Sequence, residues 1–339
     1  VVPNQQDSLL VSIVIPARNE AENIGACLAS LSQQEGITFE IYVVDDHSTD
    51  ATRQLAAAYP KATVLPARGL PPGWRGKANA LWTAVPYLKG EWLLFTDADT
   101  IHLPGSLAAS VQEALEHKAD LLSYSPFQKA GTFGEKCVQP VVFGELNQAF
   151  NYSEVNDAAK PAAAANGQFM LFRKECYGKI GGHEAVKGSL LEDVELAELV
   201  KKNGKLRFRY APERVHTRMY RTFSQLEEGW VKNLALLFPD VVALGFFRSL
   251  EFLAISGGAL GSALSFIFEQ KWIGIALFAV ALVAFGNLTA RIRRAGFPFI
   301  SAILAIAGLP IFVYLLMRSH RAFHVSHQVN WRGRTYKNI

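Results

Sequence analysis

The sequence predicts an α/β protein, a mainly parallel sheet with helices on both faces, followed by C-terminal transmembrane helices. Three observations support this. Up to about Phe238, short apolar runs rich in Val, Ile and Leu alternate with helical stretches, the pattern of consecutive βαβ units. The early runs each end in a polar cluster, and ligands of parallel sheets bind beyond the carboxyl ends of the strands. Beyond Val241 the composition shifts to long, nearly uncharged apolar runs, which divides the chain into a catalytic-type domain over 1–238 and a membrane domain over 239–339.

VSIVIPARNE, Val11 to Glu20, reads as a strand stopped by Pro16, a polar turn and a helix through about Gln33. FEIYVVDDHSTD repeats the form: a buried strand ends in Asp45 and Asp46, and Ser48 or Asp50 can cap the next helix. A strand over Ala62 to Ala67 leads through a Pro/Gly loop into a helix near Lys77 and Asn79. The fourth strand, EWLLFTDAD, runs from Glu91 into Asp97 and Asp99, which on an extended chain point the same way. Two such carboxylates are a candidate site for Mg²⁺ or Mn²⁺, whose remaining ligands come from substrate phosphates. They would serve equally as a solvated turn.

A helix over about Pro104 to His117, a strand over Asp120 to Pro126, a helix over Phe133 to Tyr152 and a strand over Asn166 to Glu175 follow. Gly181 to Leu190 is Gly-rich and reads as a mobile lid before LEDVELAELVKKNG, a helix ended by Gly204. A later strand carries His216 just beyond it, and Phe223 to Phe238 reads as an amphipathic helix.

The balance of 34 Lys and Arg against 30 Asp and Glu is too mild to imply nucleic acid. Three cysteines without metal or redox spacing fit reduced, cytosolic residues, with a disulfide as the lesser alternative. No signal-peptide pattern is present, and the absence of an initiator Met points to a trimmed N terminus that could have carried a targeting segment. In the membrane domain, 252–268, 272–290 and 297–317 are each about long enough to cross a bilayer. Orientation is contradictory. RIRRAG (Arg291 to Gly296) and the basic tail from Arg318 both argue for the cytoplasmic face, yet one span between them would separate them. Either 297–317, which contains Gly308 and Pro310, is re-entrant, or one charge signal misleads.

Taken in order, IPARNEAENI, VVDDHSTD, GWRGKANA, FTDAD, NGQFMLF and LEDVELA resemble a family 2 glycosyltransferase with the GT-A fold, of the membrane-anchored, lipid-modifying bacterial type near hopanoid- and carotenoid-associated enzymes. The resemblance spans about Val11 to Phe238. It implies inverting transfer from a nucleotide-sugar, most often a UDP-sugar. Pro16, Ala17, Arg18, Glu20, Asp45, Asp46, Lys77, Asn79 and Asp97 are then candidates for holding the donor, with Lys77 meeting phosphate at a helix start. Asp99 and Asp97 would hold the metal, and His216 resembles the further metal ligand of some GT-A enzymes. Asp193, in the Glu192-Asp193 pair, is the candidate general base. Each has a plainer use: helix capping for Glu20, Asp45, Asp46, Glu192 and Asp193, a solvated surface for Lys77, a polar core for His216.

Processive relatives carry QxxRW, whereas this chain has QLEEGW (Gln225 to Trp230). A single sugar is therefore expected to reach a membrane lipid hydroxyl at the bilayer surface, with the catalytic domain cytoplasmic and the protein multi-pass in the cell membrane. A polyprenyl phosphate is the rival acceptor. A non-catalytic nucleotide-binding scaffold is the rival from another class, and a nucleotidyltransferase would want a Gly-rich triphosphate loop that PARNEAEN does not supply.

Overall fold

The computed structural model describes residues 9–331 and 333–337. The ends of the expected domains at 1–8 and 338–339, and Arg332 of the basic tail, lie outside the described residues. The elements are β1 (Leu10–Ala17), α1 (Ile24–Ser32), β2 (Thr38–Asp45), α2 (Thr52–Ala57), β3 (Ala62–Pro66), α3 (Gly76–Ala84), β4 (Trp92–Phe95), β5 (Thr100–His102), α4 (Ser106–Glu116), β6 (Leu121–Ser125) and β7 (Phe127–Gln128). Then come α5 (Phe133–Ala149), α6 (Tyr152–Asn156), β8 (Met170–Arg173), α7 (Lys174–Lys179), α8 (Gly182–Ala185), α9 (Glu192–Asn203), β9 (Leu206–Tyr210), β10 (Val215–Thr217) and α10 (Phe223–Leu237). The last are α11 (Val241–Phe252), α12 (Gly258–Ile267), α13 (Lys271–Arg294), α14 (Phe299–His324) and the hairpin β11 (Gln328–Trp331) and β12 (Arg334–Lys337).

The chain forms two compact units, one of Val1–Lys129 with Phe150–Arg218 and one of Ala130–Ala149 with Met219–Ile339. This differs from a division near 238. Helices α5 and α10 bury their apolar stripes, including Val138, Val141, Leu226, Trp230 and Leu234, in one core with the C-terminal helices, so burial assigns them to the second unit.

The first unit is built on a seven-stranded sheet of order β3-β2-β1-β4-β8-β6-β9. All neighbours pair in parallel except β8, which is antiparallel to β4 and β6. The period of two along the strands explains the two cores. Val11, Ile13 and Ile15 point to the face covered by α1 and α4, while Val14, Tyr42 and Val44 point to the face covered by α3 and α9. Because β2, β1 and β4 run parallel side by side, their polar carboxyl ends share one edge of the sheet.

Several boundaries depart from the sequence reading. Strand β4 stops at Phe95, so Asp97 and Asp99 lie in a turn between β4 and β5, not on an extended chain. Thr96 causes the early stop: its hydroxyl donates to the Gln168 carbonyl at 2.7 Å and faces Thr100 and His102, turning the chain into the small sheet β5-β10-β7. His216 lies within β10 rather than beyond a strand. Gly204 does end α9, but with an extended backbone: a Cβ there would stand 2.6 Å from Asp120 Oδ2, so close approach explains the glycine. Neither Ser48 nor Asp50 is the residue that precedes α2, although the Asp50 carboxylate accepts the Thr52 N–H at 3.0 Å.

In the second unit three helical stretches are long and apolar enough to cross a membrane: Val241–Ile267, Lys271–Arg294 and Phe299–His324. The first starts eleven residues before the expected 252, because α11 runs into α12 through a wider turn at Leu253–Gly257. The third is unbroken across Pro310.

Candidate active site

Strands β1 and β2 end in register, Ala17 opposite Asp45, and the loops beyond them interlock. The Asp46 N–H donates to the Ala17 carbonyl at 2.8 Å, and the Arg18 guanidinium donates to the Asp46 carbonyl at 2.7 Å. Asn19 accepts the Thr49 N–H at 2.8 Å from a left-handed backbone that asparagine tolerates. Asp45 and Asp46 are buried, with Asp45 accepting the Ser48 N–H at 3.3 Å and Asp46 beside His47 at 3.2 Å. Glu20 accepts the Asn23 side chain at 2.8 Å and its own N–H donates to Thr52. Pro16, Ala17, Arg18, Glu20, Asp45 and Asp46 therefore come together as one rigid wall at the sheet edge.

The acidic turn after β4 meets α3 and α9 through one side chain. Lys77, in the first turn of α3, places its Nζ 2.9 Å from Asp97 and 3.0 Å from Glu192. Burial would push its ammonium down, but Asp97, Glu192 and Asp193 more than reverse this and hold it well above an ordinary amine. Asp193, next along α9, accepts the Gly167 N–H at 2.9 Å and the Val194 N–H at 2.9 Å. Burial and the neighbouring Glu192 raise its carboxyl to about 6, and Lys77 opposes the rise. Gly167 was not among the expected site residues. A Cβ at this position would stand 2.7 Å from Lys77 Nζ and 3.5 Å from Asp193 Oδ2, so glycine leaves room for both. The signal was present as the Asn-Gly pair just before β8.

Two expected residues stand differently. Asn79 is 3% exposed, and its amide donates to the Arg68 carbonyl at 2.9 Å, which holds the loop after β3. His216 packs its ring against Phe127 and sets Nε2 2.8 Å from the Pro212 carbonyl. Among the described residues no three His, Cys, Asp or Glu side chains converge as a metal cage. The oxygen donors of Asp97 and Asp99 nonetheless suit a hard divalent cation that completes its shell from a diphosphate, and Asp97 already binds the Lys77 ammonium as a cation.

Gly181 to Leu190 folds as the short α8 followed by a turn. Its far end is fastened to the loop before α3: the Arg75 N–H donates to the Lys187 carbonyl at 2.7 Å and its Nε to Gly188 at 3.1 Å. Beneath it His183 is fully buried, 2.7 Å from the Tyr177 hydroxyl, and burial lowers its imidazole to about 3, so it is neutral.

The arrangement is a wall of loop residues at the sheet edge, beside an acidic turn and a carboxylate pair that one lysine links. Comparison with known proteins agrees. Residues 12–181 match the model for Glycosyl transferase family 2. The chain is 26% identical over 349 residues to 4,4'-diaponeurosporenoate glycosyltransferase of Staphylococcus aureus USA300, covering 96% of this chain and 88% of that protein. The protein of strain MRSA252 with the same name is 27% identical. Among solved structures, the mannosyltransferase PcManGT of Pyrobaculum calidifontis, in complex with GDP-Man and Mn²⁺, shares the fold with a TM-score of 0.50 at 18% identity, covering 92% of this chain and 86% of that one. The α/β unit thus has a GT-A-like fold, and the chain belongs to glycosyl transferase family 2 as a nucleotide-sugar glycosyltransferase.

Proposed function

We propose that the enzyme transfers a single sugar, with inversion, from a UDP-sugar to a membrane lipid hydroxyl. The observation that carries this reading is the Lys77 bridge, which ties the acidic turn at Asp97 to the carboxylates opening α9. A donor whose diphosphate lies at the turn has its anomeric carbon on the side of Asp193. Asp45 and Asp46 would accept the uracil N–H and ribose hydroxyls, and Lys77 would meet the phosphates. Asp99 and Asp97 would hold Mg²⁺ or Mn²⁺, which when bound offsets charge on the departing diphosphate. Asp193, held by the Gly167 N–H, takes the proton of the acceptor hydroxyl as it attacks, and Glu192 supports it. His216 is a further candidate metal ligand only if donor binding moves it off the Pro212 carbonyl.

A second reading has its own support. The Staphylococcus aureus relative is named for diaponeurosporenoate, a carboxylate. An acceptor that is already ionised, a carboxylate or a polyprenyl phosphate, needs no base, and Asp193 would then serve only to shape the site. The three long apolar helices support a multi-pass protein of the cell membrane, read here with its catalytic unit cytoplasmic. The test is incubation of the detergent-solubilised protein with UDP- and GDP-sugars, Mn²⁺ and a total lipid extract, followed by mass spectrometry of the lipids. A single hexose added to a neutral lipid supports the hydroxyl reading, and an acid-linked hexose supports the second. No sugar on any lipid would refute both.

A further inference from the structure

We propose that α14 does not cross the bilayer: only the hairpin of α11–α12 and α13 does, and α14 runs obliquely beside it, from partway up the hairpin to the face from which α11 departs. This rests on the membrane reading above.

The hairpin is antiparallel. A Cβ at Gly258 would stand 3.1 Å from that of Ala281, and one at Gly274 would stand 3.3 Å from the Ser262 carbonyl. At the other end Arg291 reaches Glu251 at 2.6 Å and Glu145 of α5 at 2.9 Å. The start of α11 and the end of α13 therefore form one base, and residues 268–270 form the tip. Helix α14 begins five residues after α13 ends, and its first residue, Phe299, packs on Phe285, roughly 14 Å up α13 from the base. Its end is at the base. Ser319 donates to the Val231 carbonyl of α10 at 2.7 Å, Tyr314 donates to Glu227 at 2.8 Å, and α10 leads directly into α11. A helix that starts partway up a spanning hairpin and ends at its base does not span beside it.

The inclination agrees. From Phe299 to Met317 the axis of α14 covers about 27 Å at 1.5 Å per residue. Over that stretch its contacts move from Phe285, whose ring centroid is 6.1 Å from that of Phe299, to Gly245, where a Cβ would stand 3.0 Å from Met317. Measured along the hairpin, those two levels are only roughly 14 Å apart. The result is an angle of about 60° between α14 and the hairpin, so the two are not parallel neighbours in one bundle. One stripe of α14, with Ala302, Ala305, Leu309, Phe312 and Leu316, is fully buried against the unit. The outer side exposes Phe299, Ile300, Ile303 and Tyr314, an apolar face suited to the interfacial layer of the bilayer. Arg291–Arg294 and Arg318–Arg321 then share one face, which removes the contradiction between the two basic segments.

Single cysteines placed at exposed or half-buried positions test this, because the three native cysteines are buried. Gln270→Cys reports the tip, Ala295→Cys the base, and Ser326→Cys with Val325→Cys the end of α14. A membrane-impermeant maleimide is applied to vesicles sealed in either orientation. Expected is labelling of the tip from one face only, with loss of labelling from that face at residues 295, 325 and 326. Labelling of 325 and 326 from the tip's face would overturn the proposal while leaving a membrane-spanning protein. Labelling of all four from one face would show that the hairpin does not cross, and would overturn the membrane reading with it.

Discussion

Charged side chains cluster in two places in this protein, and the two clusters are built oppositely. In the helical unit Glu145 meets Arg248 at 2.8 Å and Arg291 at 2.9 Å, while Glu251 meets the same two guanidiniums at 3.0 and 2.6 Å. Two carboxylates face two cations and the set is neutral. At the candidate active site one ammonium, Lys77, answers Asp97, Glu192 and Asp193. The neutral set needs nothing further and ties α5, α11 and α13 together. The negative set holds excess negative charge, which under the proposed function a cation-bearing donor would neutralise. Charge balance, more than burial, separates a structural cluster from a working one.

The sharpest way to break this contrast is Asp193→Asn. General-base catalysis is typically worth about 10²–10⁴ in rate, and a loss of that size is expected for a hydroxyl acceptor. Stability should move the other way. The folded protein holds this proton more tightly than the unfolded chain, about 6 against 3.8, so ionising Asp193 costs stability as pH rises through about 6, a cost absent below the unfolded value. The variant should therefore melt no lower than the wild type at pH 8, and wild-type transfer should fall as pH drops below about 6. Near wild-type transfer by Asp193→Asn would point to an ionised acceptor.

Glu145→Gln is the converse experiment. It leaves two guanidiniums sharing one carboxylate, and breaking a buried pair typically costs about 3–5 kcal/mol. A lower melting temperature in detergent is expected, with UDP affinity of the folded fraction unchanged. If affinity fell and melting did not, the quartet would not be structural.

The smallest effect is expected for Lys77→Met, read without any sugar transfer. Removing the resident cation should tighten Mn²⁺ retention in the absence of nucleotide by on the order of tenfold, within the ~1 to 4 kcal/mol scale of a near-surface charge pair. UDP retention should weaken in the same titration. Mn²⁺ affinity unchanged by the substitution would mean that Lys77 does not share the metal's carboxylates.

By itself the sequence determined the alternation of strands and helices, the polar clusters at strand ends and the three apolar stretches. These are properties of local periodicity and composition, which a single chain displays without knowing its partners. Lys77, Asp97 and Asp193 were legible for the same reason, as charged residues next to a turn or a helix start. Only the tertiary structure decided that Lys77 bridges Asp97 and Glu192, which are 95 residues apart, and that Gly167 must lack a side chain. It also turned the acidic pair out of the strand, because the Thr96 hydroxyl finds the Gln168 carbonyl far along the chain. The membership of α5 and α10 in the helical unit, and the oblique course of α14 beside the hairpin, were equally out of reach. An apolar stripe shows that a helix will be covered, but what covers it depends on contacts between segments far apart in the chain.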